Sequence, residues 1–219
     1  MKAHAWSYSS LNDYQNCPRA FQLKRVTKEF KFVESAEMKA GNVAHKHLED
    51  RVNLKTPLPD CLSWLEAVIQ KFEGSGGDVV AEREIALDKG LVACGWFDKE
   101  VWLRAKLDLT IRRPGVSIIC DYKTGKRKPD SDQLMLFAAV EFAMQPEVGT
   151  IKSGYLWTKF KKLDSETFER KDIPRIWGHF MPKVERIETA YAKDEWPCRP
   201  SGLCGWCQAT KAQCKHAKA

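Results

Sequence analysis

Apolar residues recur at helical spacing in the first third of the chain, alternate strictly through the middle, and return to helical spacing near the end. A short helix over Leu11 to Asn16 can be capped by Ser9 or Ser10. Pro18 suits the first turn of a second helix that runs to Val26, with Cys17 at the joint. A third helix is predicted from about Met38 to Val52 and carries Gly41, His45, His47 and Glu49. After Pro57 and Pro59, the spacing of Leu62, Leu65, Val68, Ile69 and Phe72 predicts a fourth, which Gly74-Ser75-Gly76-Gly77 ends. Val79 to Leu87, Leu91 to Phe97, Val101 to Arg112 and Val116 to Lys123 read as successive strands. A helix over Ser131 to Met144, a strand over Ile151 to Thr158 and a last helix over Arg175 to Ala192 follow. The pattern therefore predicts a mixed α/β (α+β) chain with a small, mostly antiparallel sheet flanked by helices.

The stretch from Val101 to Lys123 is the most informative. Val101, Leu103, Ala105, Leu107, Leu109 and Ile111 form one apolar face of the first strand, and the even positions are mostly polar. If Pro114-Gly115 is a two-residue loop, Arg113 faces Val116, Ile111 faces Ile118, Leu109 faces Cys120 and Leu107 faces Tyr122. The same register sets Asp108 opposite Asp121 and Lys106 opposite Lys123. A slip by one residue mixes the two faces and is disfavoured.

Two carboxylates across a strand pair stand about 5 Å apart and repel each other. A cation between them removes that cost, and oxygen donors suit Mg²⁺ or Mn²⁺. Lys123, two residues beyond Asp121 on the same face, can activate a water or stabilise developing negative charge. The plainer reading is two solvated carboxylates, each beside a Lys or Arg.

Composition adds limits. The chain has 219 residues, 43% of them hydrophobic and 30% charged, which is enough for a packed core and excludes a disordered tail protein. No apolar run reaches the ~18 residues of a membrane span, and Met1 to Trp6 lacks a signal peptide's apolar stretch, so a cytoplasmic protein with no membrane partner is expected. A formal net charge of +7 permits a polyanionic partner without requiring one.

Ile119-Cys120-Asp121-Tyr122-Lys123-Thr124-Gly125-Lys126 resembles the D-Y-K-T-G-K signature of the PD-(D/E)XK nuclease superfamily, and most of all its RecB-type and CRISPR-associated exonuclease branch. Arg104-Ala105-Lys106-Leu107-Asp108 resembles the strand that supplies that branch's other metal-binding aspartate. Gly41-Asn42-Val43-Ala44-His45 resembles its G-x-x-x-H helix, and Gln133 falls where its Q-x-x-x-Y helix begins. Phe137 replaces the tyrosine of that motif, and Ala105 stands where a glycine is usual. The resemblance implies a restriction-endonuclease-like core over residues 1–219. In it His45, Asp108, Asp121 and the Tyr122 carbonyl hold Mg²⁺ or Mn²⁺. Lys123 orients or helps deprotonate the attacking water, and Gln133 positions the DNA or that lysine. Glu82 and Glu84 could lie near the site, but nothing in the spacing decides it.

Of eight cysteines, Cys198, Cys204, Cys207 and Cys214 fall in the last 22 residues. The spacing Cys204-x2-Cys207-x6-Cys214 suggests a soft-metal site. Cys198 and His216 are local candidates for a fourth ligand in a zinc site. Tyr14-Gln15-Asn16-Cys17-Pro18-Arg19 and Pro200 to Cys207 resemble the two halves of the cysteine motif in the branch's iron–sulfur members. That resemblance implies a [4Fe-4S] cluster on Cys17, Cys204, Cys207 and Cys214, with zinc the alternative. The cysteine-rich tail, residues 196–219, would then close onto the N-terminal helices around Cys17, joining the two chain ends through metal. Cys61, Cys94 and Cys120 read as buried apolar thiols.

The expected activity is metal-dependent DNA exonuclease action at strand ends, on single-stranded DNA, in recombination, repair or CRISPR spacer acquisition. Lys126, Arg127 and Lys128 are candidate phosphate contacts, and proteins of recombination or CRISPR adaptation are candidate partners. The alternative is a non-catalytic iron–sulfur DNA-binding or end-recognition subunit that retains the nuclease fold.

Overall fold

The computed structural model describes residues 4–127 and 131–218, so Lys128 and Met1 to Ala3 lie outside the described residues. The chain divides into two compact units. One contains the residues up to Val33 together with those from Gly178 on; the other runs from Glu34 to Trp177.

The central unit holds a six-stranded sheet in the order β2-β1-β3-β4-β5-β6. Its strands are β1 (Asp78–Leu87), β2 (Ala93–Cys94), β3 (Leu103–Arg113), β4 (Val116–Lys123), β5 (Thr150–Trp157) and β6 (Lys162–Glu169). All neighbours are antiparallel except β4 and β5, which are parallel and joined through helix α5 (Asp132–Met144). The β3–β4 hairpin has the register that the alternation predicts: Arg113 pairs with Val116, Ile111 with Ile118 and Leu109 with Cys120. Gly115 takes φ +74°, a conformation that glycine adopts without a Cβ penalty. Gly77, at the entry to β1, has a different role. A Cβ there would lie 2.6 Å from the Arg112 carbonyl oxygen, so only a glycine lets the chain pass β3 at that distance.

One face of the sheet buries Leu109, Ile111, Cys120 and Tyr122 against Leu48 and Val52 of α3 (Ala36–Leu54), Leu62 and Leu65 of a 3₁₀ turn, and Ile69 of α4 (Glu66–Glu73). Each large aliphatic side chain buried this way contributes about 1.5–3 kcal/mol. Arg51, almost fully buried on α3, ties that layer together by donating to Glu66 on both oxygens and to Glu73. α5 is buried nearly all round, from Leu134 to Phe142, which fits its apolar composition. Its buried acid, Glu141, is fully covered and receives two hydrogen bonds from Arg112, at 2.7 and 2.9 Å.

Two strands differ from expectation. Of Leu91 to Phe97 only Ala93–Cys94 pairs. Leu91 turns at φ +63°, the Asp98 carboxylate accepts from the Gly95 N–H, and Val92 and Phe97 stay exposed with no face to bury. β6 is an edge strand whose positions are exposed apart from half-buried Asp164 and buried Phe168, so it has no alternation to reveal it.

The other unit packs α1 (Tyr8–Asn16), α2 (Pro18–Phe21) with a π turn over Gln22–Val26, and most of α6 (Ile173–Lys193) around aromatic residues. Ser7 and Ser10 form a capping box at the start of α1, with the N-cap at Ser7, two residues before Ser9 and three before Ser10, the expected caps. Phe21 stacks on Trp196, and Tyr14 and Tyr191 meet both rings edge-on.

The expected cysteine-ligated metal site joining the chain ends is not formed. Cys17, Cys204, Cys207 and Cys214 do not converge as a ligand set for a [4Fe-4S] cluster, nor do the tail cysteines for zinc. Among the described residues, the group of side chains whose ligand atoms converge within 4.8 Å contains no cysteine. The thiols are committed elsewhere. Cys17 Sγ accepts from the Arg199 N–H and Cys204 Sγ from the Ser201 N–H, both at 3.4 Å. Cys214 lies 3.1 Å from Cys198, and Cys207 packs with Cys214 against Leu23, Ala209 and Ala217. Packing and backbone hydrogen bonds hold the ends instead: Arg19 donates from its N–H to Pro197 O and from Nε to Gln213 O. Of the three cysteines expected to be buried, only Cys120 is; Cys61 is exposed and Cys94 half-buried.

No helix among the described residues is long and apolar enough to cross a membrane.

Candidate active site

The ladders around β3 break at one level. Between β3 and β4 the pairing ends at Leu109–Cys120, one rung before Asp108 and Asp121. Between β1 and β3 the rungs Ala81–Leu109 and Arg83–Leu107 pair, but the rung between them, Glu82 and Asp108, does not. Glu82 takes φ +55°, a left-handed backbone that costs a non-glycine residue about 1–3 kcal/mol. The strain turns the Glu82 carboxylate toward Asp108.

His45 on α3 reaches this gap. Its Nε2 lies 3.1 Å from the Tyr122 carbonyl oxygen, and its Nδ1 lies 3.5 Å from Asp108 Oδ1 and 3.7 Å from Glu82 Oε1. His45, Glu82 and Asp108 together form a group able to hold a metal ion. The second oxygen of Asp108 accepts the Tyr122 N–H at 2.7 Å, taking the place of the expected rung with Asp121. The second oxygen of Glu82 pairs with Lys106 Nζ at 2.8 Å. Gly41, one turn before His45, sits where a Cβ would come to 3.2 Å from Thr124 Oγ1, so it lets α3 approach the end of β4.

Asp121, the residue before Tyr122 on β4, is buried. It forms an ion pair with Lys123 and accepts from Gln133 Nε2 at 3.0 Å. Gln133 Oε1 in turn accepts from Lys123 Nζ at 2.9 Å, and that ammonium lies 5.1 Å from the centre of the Tyr155 ring. Gln133 therefore clamps the lysine and the aspartate to each other.

These groups disturb one another's protonation. Burial pushes Asp121 up to about 7, and the Asp108 charge adds to it against the opposing pull of Lys123 and His45. Burial works to lower His45, but the Asp108 and Glu82 carboxylates outweigh it and push the imidazole up to about 10. Burial works to raise Glu82, and His45 and Lys106 more than offset it. A protonated His45 would donate to the Tyr122 carbonyl and face both carboxylates. The donor set fits a hard divalent ion: two carboxylates, an imidazole and a nearby carbonyl, with a third carboxylate one residue away.

The structure thus brings His45, Asp108, Asp121, Tyr122, Lys123 and Gln133 into one region, together with Glu82. Glu84 stays exposed. Phe137 is buried in α5. Arg127 is held by Asp164 through two hydrogen bonds at 2.5 and 2.7 Å, and Lys126 is exposed.

The family model of the PD-(D/E)XK nuclease superfamily matches residues 5–78 and 75–215. The chain belongs to the PD-(D/E)XK nuclease superfamily. Among solved structures it is similar to SSO0001 (15% identity, TM-score 0.50, covering 94% of this chain and 84% of that one). It is also similar to a protein from Eubacterium rectale described as a "Putative exonuclease" (14% identity, TM-score 0.51, covering 93% and 87%). At these identities the likeness is one of fold. No curated protein matches the chain.

Proposed function

We propose that the chain is a Mg²⁺- or Mn²⁺-dependent exodeoxyribonuclease of RecB type that hydrolyses phosphodiester bonds at the ends of single-stranded DNA. The observation that carries this reading is the convergence of His45, Glu82 and Asp108 within 4.8 Å at the broken rung, beside the Asp121–Lys123 pair.

His45, Glu82, Asp108, Asp121 and the Tyr122 carbonyl would hold the ion. A bound divalent cation supplies Lewis-acid polarisation of the scissile phosphate and lowers the pKa of a coordinated water. The remaining work falls to the chain. Lys123, held by Asp121 and Gln133, places a positive charge where the attacking water and the phosphate meet and orients that water. Gln133 keeps the ammonium from swinging to bulk solvent. Lys106 holds one Glu82 oxygen and leaves the other facing His45. The splayed ladders leave the backbone of Tyr122 free to turn its carbonyl into the site, which a continued β3–β4 ladder would not allow.

Linear and covalently closed single-stranded DNA of the same sequence, each incubated with Mg²⁺ or Mn²⁺, test the proposal. Release of mononucleotides or short oligonucleotides from the linear form alone is the expected result. Equal cleavage of the circle would replace the exonuclease reading with an endonuclease one.

A further inference from the structure

The turn between β5 and β6 stands beside the site and has no role in the fold's core. β4 and β5 are parallel, so Lys123 pairs in register with Trp157, and the next residue, Thr158, donates from Oγ1 to the Lys123 carbonyl at 3.3 Å. Residues 158–162 read Thr-Lys-Phe-Lys-Lys and contain no acid. Phe160 is half exposed, Lys159 and Lys162 are exposed, and the Lys162 charge acts on Asp164 from a distance. Lys161, at φ +49°, folds its ammonium over the Trp64 ring at 5.8 Å, which fixes the turn against the 3₁₀ segment. The nearest acid along the strand, Asp164, is occupied by Arg127 and by the Trp157 indole N–H. An exposed aromatic flanked by exposed cations, one strand from Lys123, matches the combination of a stacking platform and phosphate contacts that holds a single strand.

We propose that the β5–β6 turn guides single-stranded DNA into the active site, with Phe160 stacking on a base next to the scissile phosphate and Lys159 and Lys162 meeting the flanking phosphates. The inference rests on the nuclease reading of the same site. It selects single strands because an unstacked base is needed for Phe160 to cover, and a duplex end must fray to offer one.

The test is fluorescence anisotropy of a labelled oligo(dT) strand in EDTA, where nothing is hydrolysed, with wild-type digestion of the same DNA measured separately in Mg²⁺. Phe160→Ala is expected to weaken binding about 5- to 100-fold, and Phe160→Trp to restore it. Lys159→Ala with Lys162→Ala is expected to flatten the plot of log affinity against log salt by about 0.7 per lysine. Lys152→Ala serves as the charge control, because that exposed lysine lies five residues back along β5, about 17 Å away, and its loss is expected to leave the slope unchanged. Wild-type affinity in Phe160→Ala, or an equal loss of slope in Lys152→Ala, would overturn the proposal while leaving a digesting wild type's nuclease reading intact. A wild type that neither binds nor digests the strand would overturn both.

Discussion

Glu82 faces Asp108 across the β1–β3 ladder at a rung that does not pair, although the rungs on either side do. The register is unchanged across the gap, so no residue has been inserted. The left-handed backbone at Glu82 alone opens the ladder and turns a second carboxylate toward His45. Strain held at one position of an otherwise regular strand is the mark of a site that needs that geometry.

Glu82→Gln keeps the side chain's size and removes its charge. It is expected to weaken Mn²⁺ binding by about tenfold or more and to lower DNA hydrolysis in parallel, while the fold is kept. Isothermal titration with Mn²⁺ and a digestion assay on the same preparation check this. The Glu84→Gln variant, exposed two residues on, is expected to match wild type.

The raised values of His45 and Asp121 set the direction of the pH response. The metal-free folded chain holds these protons more tightly than the unfolded chain, for which ordinary values are 6.5 and 3.8. Stability of the metal-free protein should therefore fall as pH rises through the interval from 3.8 to about 7, and again from 6.5 to about 10. A metal ion displaces the protons, so its affinity should rise with pH, by about tenfold per unit for each proton released. Metal titrations between pH 6 and 9 read the slope, and His45→Gln should flatten it.

Gln133 touches both Lys123 and Asp121, and its contribution is one of position. Gln133→Ala is expected to lower kcat about 10- to 100-fold with a smaller change in KM, and to move the pH–rate profile as Lys123 and Asp121 lose their clamp. An unchanged profile with a raised KM would assign Gln133 to DNA contact instead.

The buried Arg112–Glu141 pair belongs to the scaffold. Arg112→Met leaves a fully buried carboxylate without its partner and should cost about 3–5 kcal/mol in urea unfolding. Hydrolysis per folded molecule should be unchanged.

The hairpin register was legible because β3 and β4 each bury one apolar face, and a slip would expose it. The helix that carries His45 and the one that carries Gln133 were legible from the helical spacing of their residues. Glu82 was not, because the sequence offers Glu82 and Glu84 on the same face of a regular strand, and only the φ inversion separates them. β6 was missed because an exposed edge strand carries no hydrophobic signal. The cysteines misled for a different reason. Spacing along the chain fits a ligand set, but three-dimensional convergence decides it, and Cys17 and Cys204 direct their sulfurs to backbone N–H groups.

The central claim is that the carboxylates around the broken rung hold a metal ion that hydrolyses DNA. End-labelled single-stranded DNA incubated with Mg²⁺, Mn²⁺ or EDTA, beside the Asp121→Ala protein, tests it most directly. The account predicts digestion that needs the metal and disappears in the variant. Digestion that persists in EDTA, or in Asp121→Ala at the wild-type rate, would contradict it.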